Sequence, residues 1–136
     1  MDTALDSVQG VLAGMHPLPL HVPGAGKARN TVWIAVDRSP SLLDLHERLM
    51  TALLPFERGT GDPSAFVAGD ARAGDVQWVS GYRRSAAFSA YTPHITLGHA
   101  QAPPDIAPFD FEADVVAACH LGRFCTCRRV IRAWNL

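Results

Sequence analysis

Between Phe109 and Cys119 every odd position is apolar (Phe109, Phe111, Ala113, Val115, Ala117, Cys119), while Asp110, Glu112 and Asp114 stand between them. Side chains on a strand point alternately to opposite faces, so this pattern predicts one long strand with a core face and a wet face. Half-wet strands belong to antiparallel sheets, because parallel sheets are covered on both sides. The remaining elements agree with that constraint. Leu5, Val8, Leu12 and Met15 fall at helical spacing and predict a helix from Thr3 to His16, with Thr3 and Asp6 as a capping box and Pro17 as the stop. Leu18 to Val22 reads as a short strand, Pro23 to Gly26 as a turn, and the β-branched and aromatic run Thr31 to Val36 as a buried strand. Ser39 can cap a helix beginning at Pro40 and running to Leu54, with Leu42, Leu45, Leu49, Leu53 and Phe56 as its apolar stripe and Pro55 as its end. A long surface loop is expected over about 57–76, while 77–79 and 82–88 fit either element. Strands follow at Thr92–Leu97, Phe109–Cys119 and Phe124–Leu136. A helix, a strand and a helix followed by a run of strands predict an α+β fold with mainly antiparallel pairing.

The 136 residues suffice for one domain, 1–136, and 48% hydrophobic content supports a core. A net charge of −1 sets the chain apart from strongly basic nucleic-acid proteins. No apolar run reaches the ~18 residues of a membrane helix. The acidic N-terminal stretch, with no Lys or Arg before Lys27, lacks the form of a secretory signal. Three cysteines, an odd number, read as reduced thiols of a cytoplasmic protein.

The sharpest chemical element is Tyr91-Thr-Pro-His-Ile-Thr-Leu-Gly98. On a strand His94 and Thr96 share one face, and Ile95 and Leu97 are expected to point into the core. Histidine exchanges protons near neutral pH, and a hydroxyl two residues on can hold a phosphate oxygen beside it. Alone, H-x-T is a short motif that a half-buried histidine on a sheet surface also satisfies.

Its surroundings add to it. Pro93-His-Ile-Thr-Leu97, preceded by Thr31-Val-Trp-Ile-Ala-Val36 and Leu42-Leu-Asp-Leu-His-Glu-Arg-Leu49, resembles the two-histidine phosphoesterases, the superfamily of the 2′-5′ RNA ligases and cyclic phosphodiesterases. Phe109-Asp-Phe111 and the stretch from Cys119 to Leu136 resemble its closing strands, so that the resemblance spans roughly residues 3–136. It implies a two-lobed fold with helices outside, two H-x-S/T motifs flanking a cleft, one histidine as general base and the other as general acid, and no cofactor or metal. The implied partner is a nucleotide or RNA end bearing a 2′,3′-cyclic phosphate or a 2′-5′ linkage. His94 and Thr96 match the second motif, and Tyr91 is a weaker candidate for lining the cleft. The other five histidines, 16, 21, 46, 99 and 120, lack a Ser or Thr two residues on. The first motif, with its strand, is therefore expected to be missing ahead of Thr3 rather than mutated, leaving the first lobe incomplete. The alternative reading is a module that binds nucleotide or RNA without turnover; a structural interaction domain would require His94 to be buried.

Four further features have plainer explanations. Cys119, His120, Cys125 and Cys127 offer four zinc ligands, but Cys119 and His120 point oppositely on a strand and no C-x-x-C knuckle is present, so buried or edge thiols are expected. Arg123, Arg128, Arg129 and Arg132 make the last strand basic, for which a solvated sheet face is the usual explanation; Arg128 and Arg132 are expected on one side, where they would meet phosphates if that side faces the cleft. Pro23-Gly-Ala-Gly-Lys27 lacks the spacing of a phosphate loop and is read as a turn. His99 is expected to be exposed at its strand end, without a catalytic role.

Overall fold

The structure, a computed structural model, describes residues 2–136. Helix α1 (Asp2–Leu12) buries Leu5, Val8 and Leu12 on a single stripe. It stops short of the expected His16 because Gly14 takes φ of 75°, the left-handed conformation that ends helices. Thr3 lies inside its first turn, where its carbonyl accepts the Ser7 hydroxyl at 3.0 Å, so it is not the cap.

Strand β1 (Leu18–Val22) alternates as expected, with Leu18, Leu20 and Val22 buried. The expected turn at Pro23–Gly26 is corrected: Gly24–Ala28 is a second strand, β2, paired antiparallel with β3 (Thr31–Ala35) around a two-residue turn at Arg29 and Asn30. The tertiary reason lies in Gly26, since a Cβ there would come within 2.6 Å of the Trp33 indole Nε1. A glycine with little strand preference of its own is held in a strand by its neighbour's ring.

Helix α2 (Pro40–Leu53) has Ser39 as its cap, accepting the Leu42 N–H at 3.3 Å, and Pro40 in its first turn. Leu42, Leu45, Leu49 and Leu53 face the core, but Phe56 leaves the stripe and is 41% exposed, because Pro55 diverts the chain into a single 3-10 turn. The following loop buries Phe66 and then gives way to α3 (Ala73–Ser85). The alternation of small and polar residues in α3 leaves only a weak apolar stripe. Its start is secured instead by a charge pair, the Arg72 guanidinium donating to Asp75 at 2.5 and 3.0 Å while the Asp75 carboxylate accepts the Arg72 N–H.

Strand β4 (His94–His99) pairs antiparallel with β3 and forms the outer strand of the sheet β2-β3-β4. The long strand expected over 109–119 is two: β5 (Phe109–Ala113) pairs with β1, and β6 (Val115–Leu121) pairs with β7 (Cys127–Asn135). At Asp114, whose carbonyl accepts the Leu136 N–H at 2.8 Å, the chain changes partner and the facing slips by one. Phe111, Ala113, Val116 and Ala118 pack on the core, while Phe109 and Val115 are exposed. All strand pairs are antiparallel, and the core gathers α1, β1, Val36, α2 and Trp134 between the helices and sheets. The result is an α+β fold with mainly antiparallel sheets. Among the described residues no helix is long and apolar enough to cross a membrane.

Candidate active site around His94

Strand pairing sets the site. His94 lies opposite Ala35, and Thr96 opposite Trp33. Cross-strand partners share a face, so His94, Thr96 and Trp33 stand together on the side away from the Val32 and Val36 side chains of the interior. His94 and Thr96 are both exposed. The rings of Trp33 and His94 meet edge to face at 6.1 Å. Beyond Trp33 the same face is floored by Gly26 and Gly24, the partners of Trp33 and Ala35, which leaves it open.

One hydrogen bond defines the chemistry available to His94. Its Nδ1 lies 2.8 Å from the Thr92 carbonyl. A carbonyl only accepts, so Nδ1 carries the proton and donates it, and the neutral ring presents Nε2 as a base. Pro93 restricts the preceding Thr92 to extended geometry, and its carbonyl accepts the Val36 N–H at 3.2 Å, anchoring the approach to the motif.

The apolar anchors of this platform are not where the alternation placed them. Ile95 and Leu97 are 44% and 48% exposed, a correction to their expected burial. β4 is an outer strand, and the core cluster is built by other elements, so two apolar side chains at the right parity stay in water.

Tyr91 is drawn away from His94 toward α2. Its ring stacks on the His46 imidazole at 3.9 Å between centroids and 4° between planes, and burial pushes its phenol pKa up. His46 is itself buried and accepts the Phe88 N–H through Nε2 at 3.0 Å; desolvation lowers its pKa, holding it neutral. Nothing in the helical pattern of α2 marks His46, which falls one position past the core residue Leu45.

The two arginines of β7 have different surroundings. Arg132 lies opposite Ala118 and pairs with Asp6 of α1 at 3.1 Å, whereas the Arg128 side chain lies over Gly122, where a Cβ would meet its Cγ at 2.1 Å. The register shift between Ala118 and Cys119 interrupts the alternation that had put both on one side, and neither belongs to the sheet of His94. His99 is the exposed last residue of β4, its ring against Phe124. Lys27, at the end of the glycine-rich stretch, donates to the Gln101 carbonyl.

Cys119, Cys125 and Cys127 are free thiols. Burial pushes the Cys125 and Cys127 thiols up, away from reactive thiolates. Among the described residues no three His, Cys, Asp or Glu side chains converge as metal ligands would. A pair that sequence reading missed is His21 and Asp110, directly opposite on β1 and β5, with Nδ1 donating to the carboxylate at 2.7 Å. The alternating pattern of β5 implied that Asp110 was wet but gave no sign of its cross-strand partner.

An α+β domain of antiparallel sheets that carries Pro-His-Ile-Thr-Leu on an outer strand, with the histidine and threonine open on one face, has the features of a two-histidine phosphoesterase. The model of the 2′-5′ RNA ligase superfamily matches residues 1–120, and the chain belongs to that family. No curated protein and no solved structure matches it.

Proposed function

We propose that the His94 face binds the phosphate of a nucleotide or RNA end and that His94 moves a proton there. The substrate class is a 2′,3′-cyclic phosphate or a 2′-5′ linked phosphodiester. The observation that carries this reading is the Thr92 carbonyl on His94 Nδ1, which leaves Nε2 as the ring's available nitrogen on the open face that His94 shares with Thr96. Nε2 takes the proton of an attacking water or hydroxyl, or in protonated form gives one to the leaving oxygen. Thr96 donates to a non-bridging phosphate oxygen and keeps the phosphorus within reach. The half-buried Trp33 ring, edge to face with His94, limits where a ribose can sit. Membership of the 2′-5′ RNA ligase superfamily supports RNA or nucleotide substrates in general.

A second reading is favoured by one observation: His94 is the only histidine in this sequence followed by Ser or Thr two residues on. One such group supplies one of the two proton transfers, so the same face would hold a phosphate without turning it over. Both readings are tested by incubating the chain with 2′,3′-cyclic nucleotides and with 2′-5′ linked dinucleotides, alongside His94→Ala and Thr96→Val. Catalysis through His94 predicts turnover that falls by about 10²–10⁴-fold in His94→Ala. Binding that weakens in both variants, with no turnover in any, supports the second reading. Equal turnover and equal binding in all three chains would remove His94 from the site.

A further inference from the structure

A cavity of about 610 Å³ lies between α3, the 57–65 loop and the end of β6, with none of its lining residues on β3 or β4. Its volume lies within the range of small-molecule sites. One wall is aromatic: Trp78 and Tyr82, one helical turn apart on α3, meet edge to face at 6.4 Å and 75°. Trp78 is 50% exposed, so a large flat surface is left in water at the cavity. Leu121 and His120 of β6 contribute to the lining as well.

The rim is built rather than loose. The Gly61 N–H donates to the Ser80 hydroxyl at 2.6 Å, and that hydroxyl donates to the Val76 carbonyl at 2.7 Å. A Cβ on Gly61 would come within 2.8 Å of both acceptors, so glycine is what allows the loop to lie on the helix. Farther along, Arg83 is clamped by both carboxylate oxygens of Glu57 and by the Met50 carbonyl. Polar groups at the rim differ in availability. Asp62 accepts the Ser64 N–H at 2.7 Å, which lowers its carboxyl pKa with a smaller contribution from the Arg58 charge, while Arg58, also on the lining, has no ion pair within 4.0 Å among the described residues.

We infer that this cavity is a second binding site, taking a nucleobase that lies against Trp78 and Tyr82 with its attached phosphate toward Arg58. A flat aromatic surface half open to water, a rigid rim and a guanidinium with no carboxylate in direct contact together fit a planar ring carrying negative charge. The choice of a nucleobase rests on the nucleotide reading of the His94 face; the cavity itself does not.

The chain's tryptophans separate the two sites. Trp33 stands beside His94, Trp78 lines the cavity, and Trp134 is buried. Adenosine 2′-monophosphate is titrated into Trp33→Phe, where Trp78 is the responsive fluorophore, and into Trp78→Phe, where Trp33 is. The inference predicts saturable quenching in Trp33→Phe, and a loss of about tenfold in calorimetric affinity at this site in Trp78→Ala. A response in Trp78→Phe with a flat Trp33→Phe overturns the cavity site and leaves the His94 reading standing. The reverse pattern supports the cavity and overturns nucleotide binding at His94. Two flat titrations overturn both. Arg58→Ala weakening the monophosphate but not adenosine would support the phosphate placement, and equal weakening of both would overturn it.

Discussion

At the scale of single residues, two histidines of one chain have opposite surroundings. His94 is exposed, with one nitrogen held by a carbonyl and the other free. Its neutral form is therefore expected to be the Nδ1–H tautomer, which ¹⁵N chemical shifts of the imidazole measure directly; a dominant Nε2–H form would contradict the Thr92 hydrogen bond. His46 is buried, neutral and structural, accepting a backbone N–H under the Tyr91 ring. Its folded-state pKa lies below the ordinary value of 6.5 because of desolvation. The unfolded chain then binds the proton first as pH falls, so the contribution of His46 to stability is present above pH 6.5 and is lost as pH drops through the lowered folded value. Denaturant melts between pH 7.5 and 5 should show this loss in the native chain and a smaller slope in His46→Gln. Identical slopes would mean that His46 does not carry the effect.

At the scale of elements, pairing overrode local preference in two places. Gly24–Ala28 would not be chosen as a strand from its composition, yet it pairs along its length with β3 because Gly26 makes room for Trp33. Gly26→Val is expected to push the indole from its seat, costing about 1–3 kcal/mol by overpacking. The shift should appear as a lower denaturation midpoint and altered near-ultraviolet dichroism; an unchanged spectrum would show that Trp33 does not depend on Gly26. The second place is Asp114. Odd positions are apolar from Phe109 to Cys119, so the pattern reads as one strand, but the chain leaves β1 for β7 there and Val116 and Ala118 take over the inward side. Alternation reports facing only while the partner strand stays the same.

At the scale of the whole molecule, the two chain ends meet in one core. Trp134, near the end of β7, joins the cluster that holds Leu5, Val8 and Leu12 of α1, and Arg132 reaches Asp6 across the same junction. Its indole Nε1 is buried without a partner among the described residues, so its contribution rests on packing. Trp134→Ala is expected to cost about 3–5 kcal/mol, whereas Trp134→Phe keeps most of the apolar contact and removes the unpaired donor. Chemical denaturation of the two variants checks this ordering. If they unfold at the same midpoint, the packing of the ring is not what joins the ends.

The sequence by itself determined what short-range physics controls. Helix α2 begins at Ser39 and Pro40 because a hydroxyl cap and a fixed φ act within one turn. The α+β class was legible in the order of periodicities, and the H-x-T pair was legible because a spacing of two on a strand fixes a shared face. Only the tertiary structure decided what depends on residues distant in the chain. It left Ile95 and Leu97 in water on an outer strand, drew Tyr91 onto His46, separated Arg128 from Arg132, and brought Asp110 to His21 across 89 positions. It set Trp33 beside His94 through the register of β3 with β4. Local periodicity tells a side chain which way to point relative to its own strand; what it meets there is decided by the partner strand, the register and the layer packed above.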